Sequence, residues 1–171
     1  SEAVVNTAAD RLAGVAEVEV PEFVAAPAPG HLDSDGKELF LAGQDVYFRD
    51  GHCATCHQAN GKGLDPAFPS ISNSAWVSGD DQRLIKLALY GLIGPLEVDG
   101  KKYNGQVPMT PFGGLLGDDE MAAVLTFVRN SFGNKADPIQ PDDIKAVRDE
   151  NPGRVMFMST QELLKQHPFN E

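Results

Sequence analysis

The sequence of 171 residues has no long run of apolar residues and few basic side chains. A helix that spans a bilayer needs about 20 consecutive apolar residues, so we predict no direct membrane span. Lys and Arg number 14 against 25 Asp and Glu, which gives a formal net charge of −11. Nucleic-acid binding requires basic patches, and the charge therefore argues against a nucleic-acid partner. The acidity either favours partners with a basic docking face or serves only solubility.

Cysteine is scarce as well, since the chain contains only Cys53 and Cys56. These residues lie in Cys53-Ala54-Thr55-Cys56-His57, a C-x-x-C-H motif of the kind that attaches c-type haem. One helical turn presents both thiols to the two vinyl groups at one edge of a porphyrin, and the following imidazole lies beneath the iron. We therefore predict one covalent haem c, held through Cys53 and Cys56, with His57 as an axial ligand.

Three other uses of two close cysteines fit the sequence less well. A structural zinc site needs four ligands, and His31, His52 and His167 form no second ligand pair at zinc spacing. A thioredoxin-like redox pair belongs near a βαβ pattern, which the sequence lacks. A plain disulfide would leave His57 without a role. Haem attachment accounts for all three residues of the motif.

The second axial ligand is expected to be a methionine or a histidine. The candidates are Met109, Met121, Met156, Met158, His31, His52 and His167. Met109 stands between Pro108 and Pro111 in a loop, where flanking prolines can hold its sulfur rigidly. We predict Met109, with His31 as the best substitute. We assign Met121, Met156 and Met158 to hydrophobic packing.

Hydrophobic periodicity and capping residues predict a helical chain with few strands, and hence the all-α class. An alternating segment, Glu17–Val20, is the one strand-like pattern in the N-terminal region. The predicted helices are Gly36–Arg49, Asp80–Tyr90, Asp118–Phe132, a short one over Pro141–Glu150 and a last one after Ser159. The N-cap of the first helix is Ser34 or Asp35. The last helix begins with a capping box formed by Ser159 and Glu162. Residues 94–114 are predicted to be loop.

Over about residues 36–134 the chain resembles the monohaem class I cytochromes c. The resemblance rests on Gly43-x-x-x-Tyr47, the haem motif, Gly61-Lys62-Gly63, the loop that holds Met109, and the third helix. It implies three main helices around one haem, with Gly43 at a close crossing next to Phe127. We therefore divide the chain into an N-terminal extension (1–33), a cytochrome c domain (34–134) and a C-terminal extension with short helices (135–171).

Within that family, the chain resembles the cytochrome domains of quinoprotein (PQQ) dehydrogenases and of fused copper nitrite reductases. The family's usual Pro-Pro-Leu reads Pro69-Ser70-Ile71 here, a mild departure. The resemblance implies that the Pro69 carbonyl, or failing that Pro66, accepts a hydrogen bond from the axial histidine. It also suggests that Trp76 and Tyr103 approach the haem edge or a propionate. Ordinary packing explains Trp76 equally well and explains Tyr103 better. Arg83 either offsets a propionate charge or, more simply, lies exposed on its helix.

A haem with both axial positions filled has no open site for a substrate. We therefore expect an electron-transfer protein rather than an enzyme, either a carrier or the cytochrome domain or subunit of a larger redox enzyme. Its partners would be redox proteins: a donor such as a dehydrogenase, and an acceptor such as an oxidase or another cytochrome. The location would be periplasmic or otherwise extracytoplasmic, although Ser1-Glu2-Ala3 does not begin a signal peptide. The alternative is a haem enzyme or ligand sensor with a labile sixth site.

Overall fold

A computed structural model describes residues 25–169, so the strand-like segment Glu17–Val20 lies outside the described residues. Helices and short strands follow one another along the chain as α1 (Ser34–Tyr47), α2 (Cys53–His57), α3 (Ala75–Ser78), α4 (Asp81–Tyr90), β1 (Leu92–Ile93), β2 (Leu96–Val98), β3 (Lys101–Tyr103), α5 (Asp118–Arg129), α6 (Pro141–Glu150), β4 (Met158–Ser159) and α7 (Thr160–Gln166). Across these residues, no helix is both long and apolar enough to cross a membrane.

Helix α1 begins earlier than its sequence indicated, because a different residue caps it. The side chain of Asp33 accepts a hydrogen bond from the backbone N–H of Gly36 at 2.8 Å, as an N-cap does. The predicted caps, Ser34 and Asp35, are the first two helical residues instead. The helix also ends at Tyr47, before the predicted Arg49, because Phe48 already has the backbone of a C-cap.

Helices α1 and α5 cross at backbone contact distance, and Gly43 makes this possible. A Cβ atom at Gly43 would overlap the carbonyl oxygen of Ala123 and would lie 2.9 Å from the Cβ of Phe127. Around this crossing the ring of Tyr47 lies 5.2 Å from that of Phe127 and 5.3 Å from that of Phe132. The predicted crossing of glycine against an aromatic helix is therefore confirmed, and it explains a glycine that would otherwise cost helix stability.

Helices α4 and α5 keep their predicted positions with small shifts at the ends. Asp80 caps α4 through the N–H of Arg83, and Gly91, at a positive φ of 70°, ends it. Helix α5 ends at Arg129 rather than Phe132. Phe132 adopts a φ of +57°, which is not helical, and its ring lies over Gly61. In this position the ring also packs beside Tyr47 and belongs to the aromatic cluster.

Two small sheets qualify the all-α prediction. Strands β2 and β3 form an antiparallel hairpin in the segment predicted to be loop, and β1 pairs in parallel with β4. The hairpin turn is Asp99-Gly100, both with positive φ (51° and 79°). Asp-Gly between two extended segments is a strong hairpin signal, so the sequence contained the information that would have predicted it.

The C-terminal extension packs onto the rest of the chain. Helix α6 covers α5 and α4, and α7 lies against α4, with Ile144, Val147 and Leu163 fully buried. Arg83 was expected to lie exposed, and this was wrong: the residue is 2% exposed. Its guanidinium donates to the carbonyls of His167 and Pro168, and it stacks 4.0 Å from the ring of Phe169, because the end of the chain folds over α4.

We predict that Gly43→Ala destabilises the fold. Alanine is normally favoured over glycine inside a helix by about 0.8–1 kcal/mol. At this crossing the added methyl meets backbone, which cannot yield as a side chain would, and overpacking costs about 1–3 kcal/mol. Because the clash is with the Ala123 backbone, the cost should lie at the upper end of that range. After the helix gain is subtracted, the net loss should be about 2 kcal/mol, measured as a lower midpoint of denaturant unfolding.

Ala42→Gly is the matched control, because Ala42 is the exposed neighbour in the same helix. There glycine should be the worse residue, by about 0.5–1 kcal/mol. If alanine were the better residue at both positions, the close crossing at Gly43 would be wrong.

Candidate haem-binding site

A cavity of about 420 Å³ opens between the motif helix, the α4 and α5 helices and the loops that join them. Its lining is mainly apolar, and it includes Leu84, Leu87, Ala88, Leu92, Leu96, Val98, Phe112, Leu116, Met121, Val124, Leu125 and Val128. Cys53, Cys56, His57 and Met109 line the same cavity. Residues separated by more than fifty positions in sequence are thus brought to one apolar site of ligand size.

The motif itself forms the short helix α2, which runs from Cys53 to His57. No disulfide joins Cys53 and Cys56, and both side chains are partly buried. Burial, with a smaller contribution from nearby Cys56, raises the pKa of the Cys53 thiol to about 11. A redox-active C-x-x-C pair depends on a lowered thiol pKa, so this environment disfavours the thioredoxin-like alternative.

His57 is held through one ring nitrogen. Its Nδ1 lies 2.9 Å from the Pro69 carbonyl oxygen and donates a hydrogen bond to it in the tautomer protonated there. In that tautomer Nε2 carries no proton, so its lone pair can bind a metal. Burial lowers the pKa of His57, which favours the neutral ring that a metal requires. The chain turns closely here: a Cβ at Gly63, whose φ is +67°, would overlap the carbonyl of Phe68 and lie 2.6 Å from that of Pro69.

Tyr47 supports the C-terminal end of the motif helix α2. Its hydroxyl donates to the carbonyl of Gln58 at 2.8 Å, and the same carbonyl accepts the N–H of Gly61. The tyrosine is fully buried, and that burial raises the pKa of its hydroxyl well above the usual range. Gln58, the residue after His57, adopts a φ of +66°, which is unfavourable for a residue other than glycine. The hydrogen bond from Tyr47 of α1 holds Gln58 in this conformation.

Met109 is placed by backbone pairing with the residues that follow α4. Its N–H donates to the carbonyl of Leu92 at 3.0 Å, and its carbonyl accepts the N–H of Leu92 at 3.2 Å. Further along the loop, Phe112 and Gly113 donate to the carbonyls of Ala88 and Leu89 at the end of α4. Four hydrogen bonds thus fix the Met109 loop against one wall of the cavity.

Trp76 and Tyr103 both line this cavity and are buried, at 6% and 8% exposed. The indole Nε1 of Trp76 donates to the carbonyl of Glu97 at 2.8 Å, so it ties α3 to the β2–β3 hairpin. The ring of Tyr103 lies 5.7 Å from the Lys101 ammonium. The structure thus brings both aromatic residues to the cavity that contains the motif, where they also serve as ordinary packing.

The other candidate ligands occupy different environments. His31 bonds to Asn130 at 2.8 Å and is not among the residues of the cavity, so the structure does not favour it as the substitute ligand. His167 lies 2.8 Å from the Lys86 ammonium, also away from the cavity. Met158 is buried as expected. Met156 is 67% exposed, so the packing predicted for it was wrong.

Two more candidates line the cavity. Met121 is 1% exposed on α5 and contributes to the wall by packing. His52 borders the motif, with its ring centroid 5.6 Å from that of Phe112 and Nδ1 at 3.0 Å from the Asp50 carbonyl oxygen. The contact with Asp50 thus engages the ring nitrogen of His52 that lies nearer its own backbone.

The donor set fits an iron porphyrin better than a bare metal ion. Over residues 25–169, no three His, Cys, Asp or Glu side chains cluster as the protein ligands of an ion would. A porphyrin supplies four nitrogens of its own, and the protein then adds only axial ligands, for which His57 and Met109 are suitable. The apolar lining suits the macrocycle, and the two thiols at one edge suit its vinyl groups.

Comparison with known proteins agrees with this geometry. The family model described as Cytochrome c matches residues 34–132, more than half of the chain. The chain belongs to the cytochrome c family. The predicted resemblance to the monohaem class I cytochromes c is thereby confirmed, and the helices around the cavity fit their fold. Haem, iron and electron transport accordingly describe the family to which this chain belongs.

Its relatives include a cytochrome c-552 and cytochrome subunits of a dehydrogenase and an oxidase. A cytochrome c-552 of Thermus thermophilus is 36% identical over 124 residues, which cover 64% of this chain and 82% of that protein. The cytochrome c subunit of a quinone alcohol dehydrogenase of Gluconobacter oxydans is 32% identical over 63% of this chain and 22% of that subunit. A FixP subunit of a cbb3-type cytochrome c oxidase of Rhizobium etli is 28% identical over 68% of this chain and 40% of that subunit.

Several supporting residues escaped the reasoning from sequence. Asn134 accepts from the N–H of Ser74 and donates to the carbonyls of Ile71 and Val128, so it joins the loop after the motif to the end of α5. Arg129 donates to the carbonyls of Val77 and Gly79 and joins α5 to α3. Such bonds between distant segments leave no periodic signal, and an aligned set of relatives would be needed to find them.

We expect Tyr47→Phe to weaken the fold around the motif. The substitution removes the hydrogen bond to the Gln58 carbonyl, which should cost about 0.5–1.5 kcal/mol of unfolding free energy. The loss is moderate because Gly61 still donates to that carbonyl. Denaturant unfolding of the haem-loaded protein, followed by circular dichroism, measures it.

Ser72→Ala provides the comparison, because the Ser72 hydroxyl makes only a long, exposed hydrogen bond of 3.4 Å to the Asn60 carbonyl and does not line the cavity. Its unfolding free energy should change by less than about 0.5 kcal/mol. Equal losses in the two variants would mean that the bond to Gln58 contributes nothing specific.

Proposed function

We propose that this chain carries one haem c, bound covalently through Cys53 and Cys56, and transfers single electrons between redox proteins. The observation that carries the proposal is that both thiols, His57 and Met109 line one apolar cavity. When bound, haem c supplies a reversible one-electron Fe(III)/Fe(II) couple. Nothing in the proposal requires this chain to bind a substrate, and we therefore regard it as an electron-transfer protein rather than an enzyme.

The axial ligands in this proposal are His57 and Met109. His57 presents Nε2, because the Pro69 carbonyl engages Nδ1 and so fixes the tautomer and the orientation of the ring. Met109 presents a thioether sulfur from a loop that is fixed by paired backbone hydrogen bonds to Leu92. A methionine ligand raises the reduction potential relative to a second histidine. The apolar lining acts in the same direction, because it disfavours the more highly charged ferric state.

The remaining cavity residues shape the site and exclude water. Trp76 and Tyr103 each combine an apolar ring with one polar group, and we assign them to the edge of the haem. The Nε1 of Trp76 is engaged by Glu97, so its contribution there is the ring face. Leu84, Val124 and Val128 complete the apolar wall from α4 and α5.

The partners are inferred from charge and from the relatives. A net charge of −11 favours encounter with a basic protein surface, and electron-transfer encounters are generally small and short-lived. The relatives include the cytochrome subunits of a dehydrogenase and of an oxidase, which are a donor and an acceptor class respectively. We propose redox proteins of these kinds as partners, at a periplasmic or otherwise extracytoplasmic location. Residues 34–134 would form the haem domain of a free carrier or of a subunit.

The first test is the optical spectrum and the intact mass of the protein coexpressed with haem-maturation machinery. We expect the mass of the chain plus one haem, sharp low-spin bands, ready reduction by ascorbate, and no change with carbon monoxide. A mass that matches the bare chain would overturn the covalent haem. A shift with carbon monoxide would indicate an accessible iron and a peroxidase-like or gas-binding role instead.

We predict that Met109→Ala opens the sixth coordination position. The variant should become high-spin or bind carbon monoxide, and its reduction potential should fall, because the thioether donor is lost. Visible spectra and redox titration measure both effects. Met156→Ala, which removes an exposed methionine, should leave them unchanged, and Met121→Leu tests the other methionine of the cavity. A native spectrum in Met109→Ala would contradict the ligand assignment.

A further inference from the structure

The C-terminal extension contacts the residues that hold Met109 rather than the haem motif. Strand β1 lies between two partners: Leu92 pairs with Met109 on one side and with Met158 on the other. The N–H of Met158 donates to the carbonyl of Gly91 at 3.2 Å, and the Thr160 hydroxyl donates to the carbonyl of Ile93 at 3.2 Å. The peptide segment that places Met109 is therefore itself placed by the extension.

The packing on this side leaves little space for the loop to shift. Gly91 has a φ of +70°, and a Cβ there would overlap the carbonyl of Met109 and lie 2.9 Å from the ring of Phe157. Met158 is 1% exposed, so β4 is a buried strand and not a loosely attached end. An outward movement of the Met109 loop would have to break its pairing with a strand that is covered on its other side.

Arg148, on α6, fixes the downstream end of the same loop. Its guanidinium donates to the carbonyl of Gly113 at 2.7 Å, to that of Leu116 at 2.8 Å, and to the Asp118 carboxylate at 2.7 Å. The residue bridges the loop end, the turn that follows and the first residue of α5. Charge-assisted bonds from a rigid planar group are among the stronger hydrogen bonds in proteins.

The loop that carries Met109 is thus restrained by residues 135–169 at two points: at Met109, through strand β1, and at the downstream end of the loop, through Arg148. We propose that the C-terminal extension, through Arg148 and strand β4, keeps Met109 in place and so controls how readily the sixth position opens. Arg148 is a positioning residue in this account, since it acts on the methionine through the backbone of the loop. The inference rests on the proposed role of Met109 as an axial ligand.

The test compares Arg148→Gln with the wild-type protein, both loaded with haem. Loss of the guanidinium should speed amide hydrogen exchange at Met109, Phe112 and Gly113 about tenfold relative to α5. Free imidazole, added to the ferric protein, should bind about tenfold more tightly, because the methionine yields more readily; this change corresponds to about 1.4 kcal/mol. Arg148→Lys should restore the native behaviour only in part, because an ammonium cannot span three acceptors.

Two controls separate positioning from general stability. Lys145→Ala removes an exposed cation from the same helix, where it pairs with Asp149, and should leave imidazole affinity and loop exchange unchanged. Arg129→Gln removes another guanidinium that bridges backbone carbonyls, those of Val77, Gly79 and Asp137, none of which belongs to the Met109 loop. It should lower the unfolding midpoint without tightening imidazole binding.

The possible failures are distinguishable. If Arg148→Gln lowers the unfolding midpoint as Arg129→Gln does but leaves imidazole affinity within twofold of wild type, Arg148 is merely structural and the inference is overturned. If the ferric wild-type protein lacks the methionine–iron charge-transfer band, the ligand assignment for Met109 fails, and the inference fails with it. A wild-type band together with a silent Arg148→Gln variant overturns the inference alone.

Discussion

The close crossing of α1 and α5 is the contact on which the rest of the site depends. Gly43 lets the two backbones touch. The two helices then serve different parts of the site. From α1, Tyr47 reaches the carbonyl that follows the haem motif. From α5, Met121, Val124 and Val128 form a wall of the cavity. Helix α1 thus supports the haem motif through a hydrogen bond, and helix α5 forms a wall of the cavity that the motif lines.

The two proposed axial ligands are positioned by different means. His57 is fixed almost locally: the motif helix, the turn at Gly63 and the Pro69 carbonyl all lie within thirteen residues of it. Met109 depends on longer connections, first to Leu92 and through it to Met158. The histidine is therefore held by residues close to it in sequence, whereas the segment that holds Met109 also contacts the C-terminal extension.

The sequence was most informative where a local rule applied. The haem motif, the helix of Pro141–Glu150 and the N-cap at Ser159 each follow from a few adjacent residues, and the structure contains both the helix and the cap. The crossing at Gly43 was predictable because a glycine inside a helix requires an explanation. The position of Met109 at the cavity agrees with its prediction from the proline-flanked loop.

The errors arose where distant segments meet. Strands β1 and β4 have two residues each, too few for any periodicity, and they pair only because α6 carries the chain back over α4. The sequence around Arg83 predicts an exposed helical residue. In the structure, residues 167 and 168 cover its guanidinium and accept hydrogen bonds from it. The β2–β3 hairpin differs from these cases, since its turn, Asp99-Gly100, is a local signal that the sequence contains.

The most direct test of the central claim is proton NMR of the reduced, haem-loaded protein with labelled methionine methyl groups. The chain has four methionines, so four methyl signals are expected. The account predicts that one of them is shifted far upfield by the ring current of the haem, and that Met109→Ala abolishes this signal while Met121→Leu does not. The absence of an upfield methyl, or its loss with Met121 instead of Met109, would contradict the proposed His57/Met109 site.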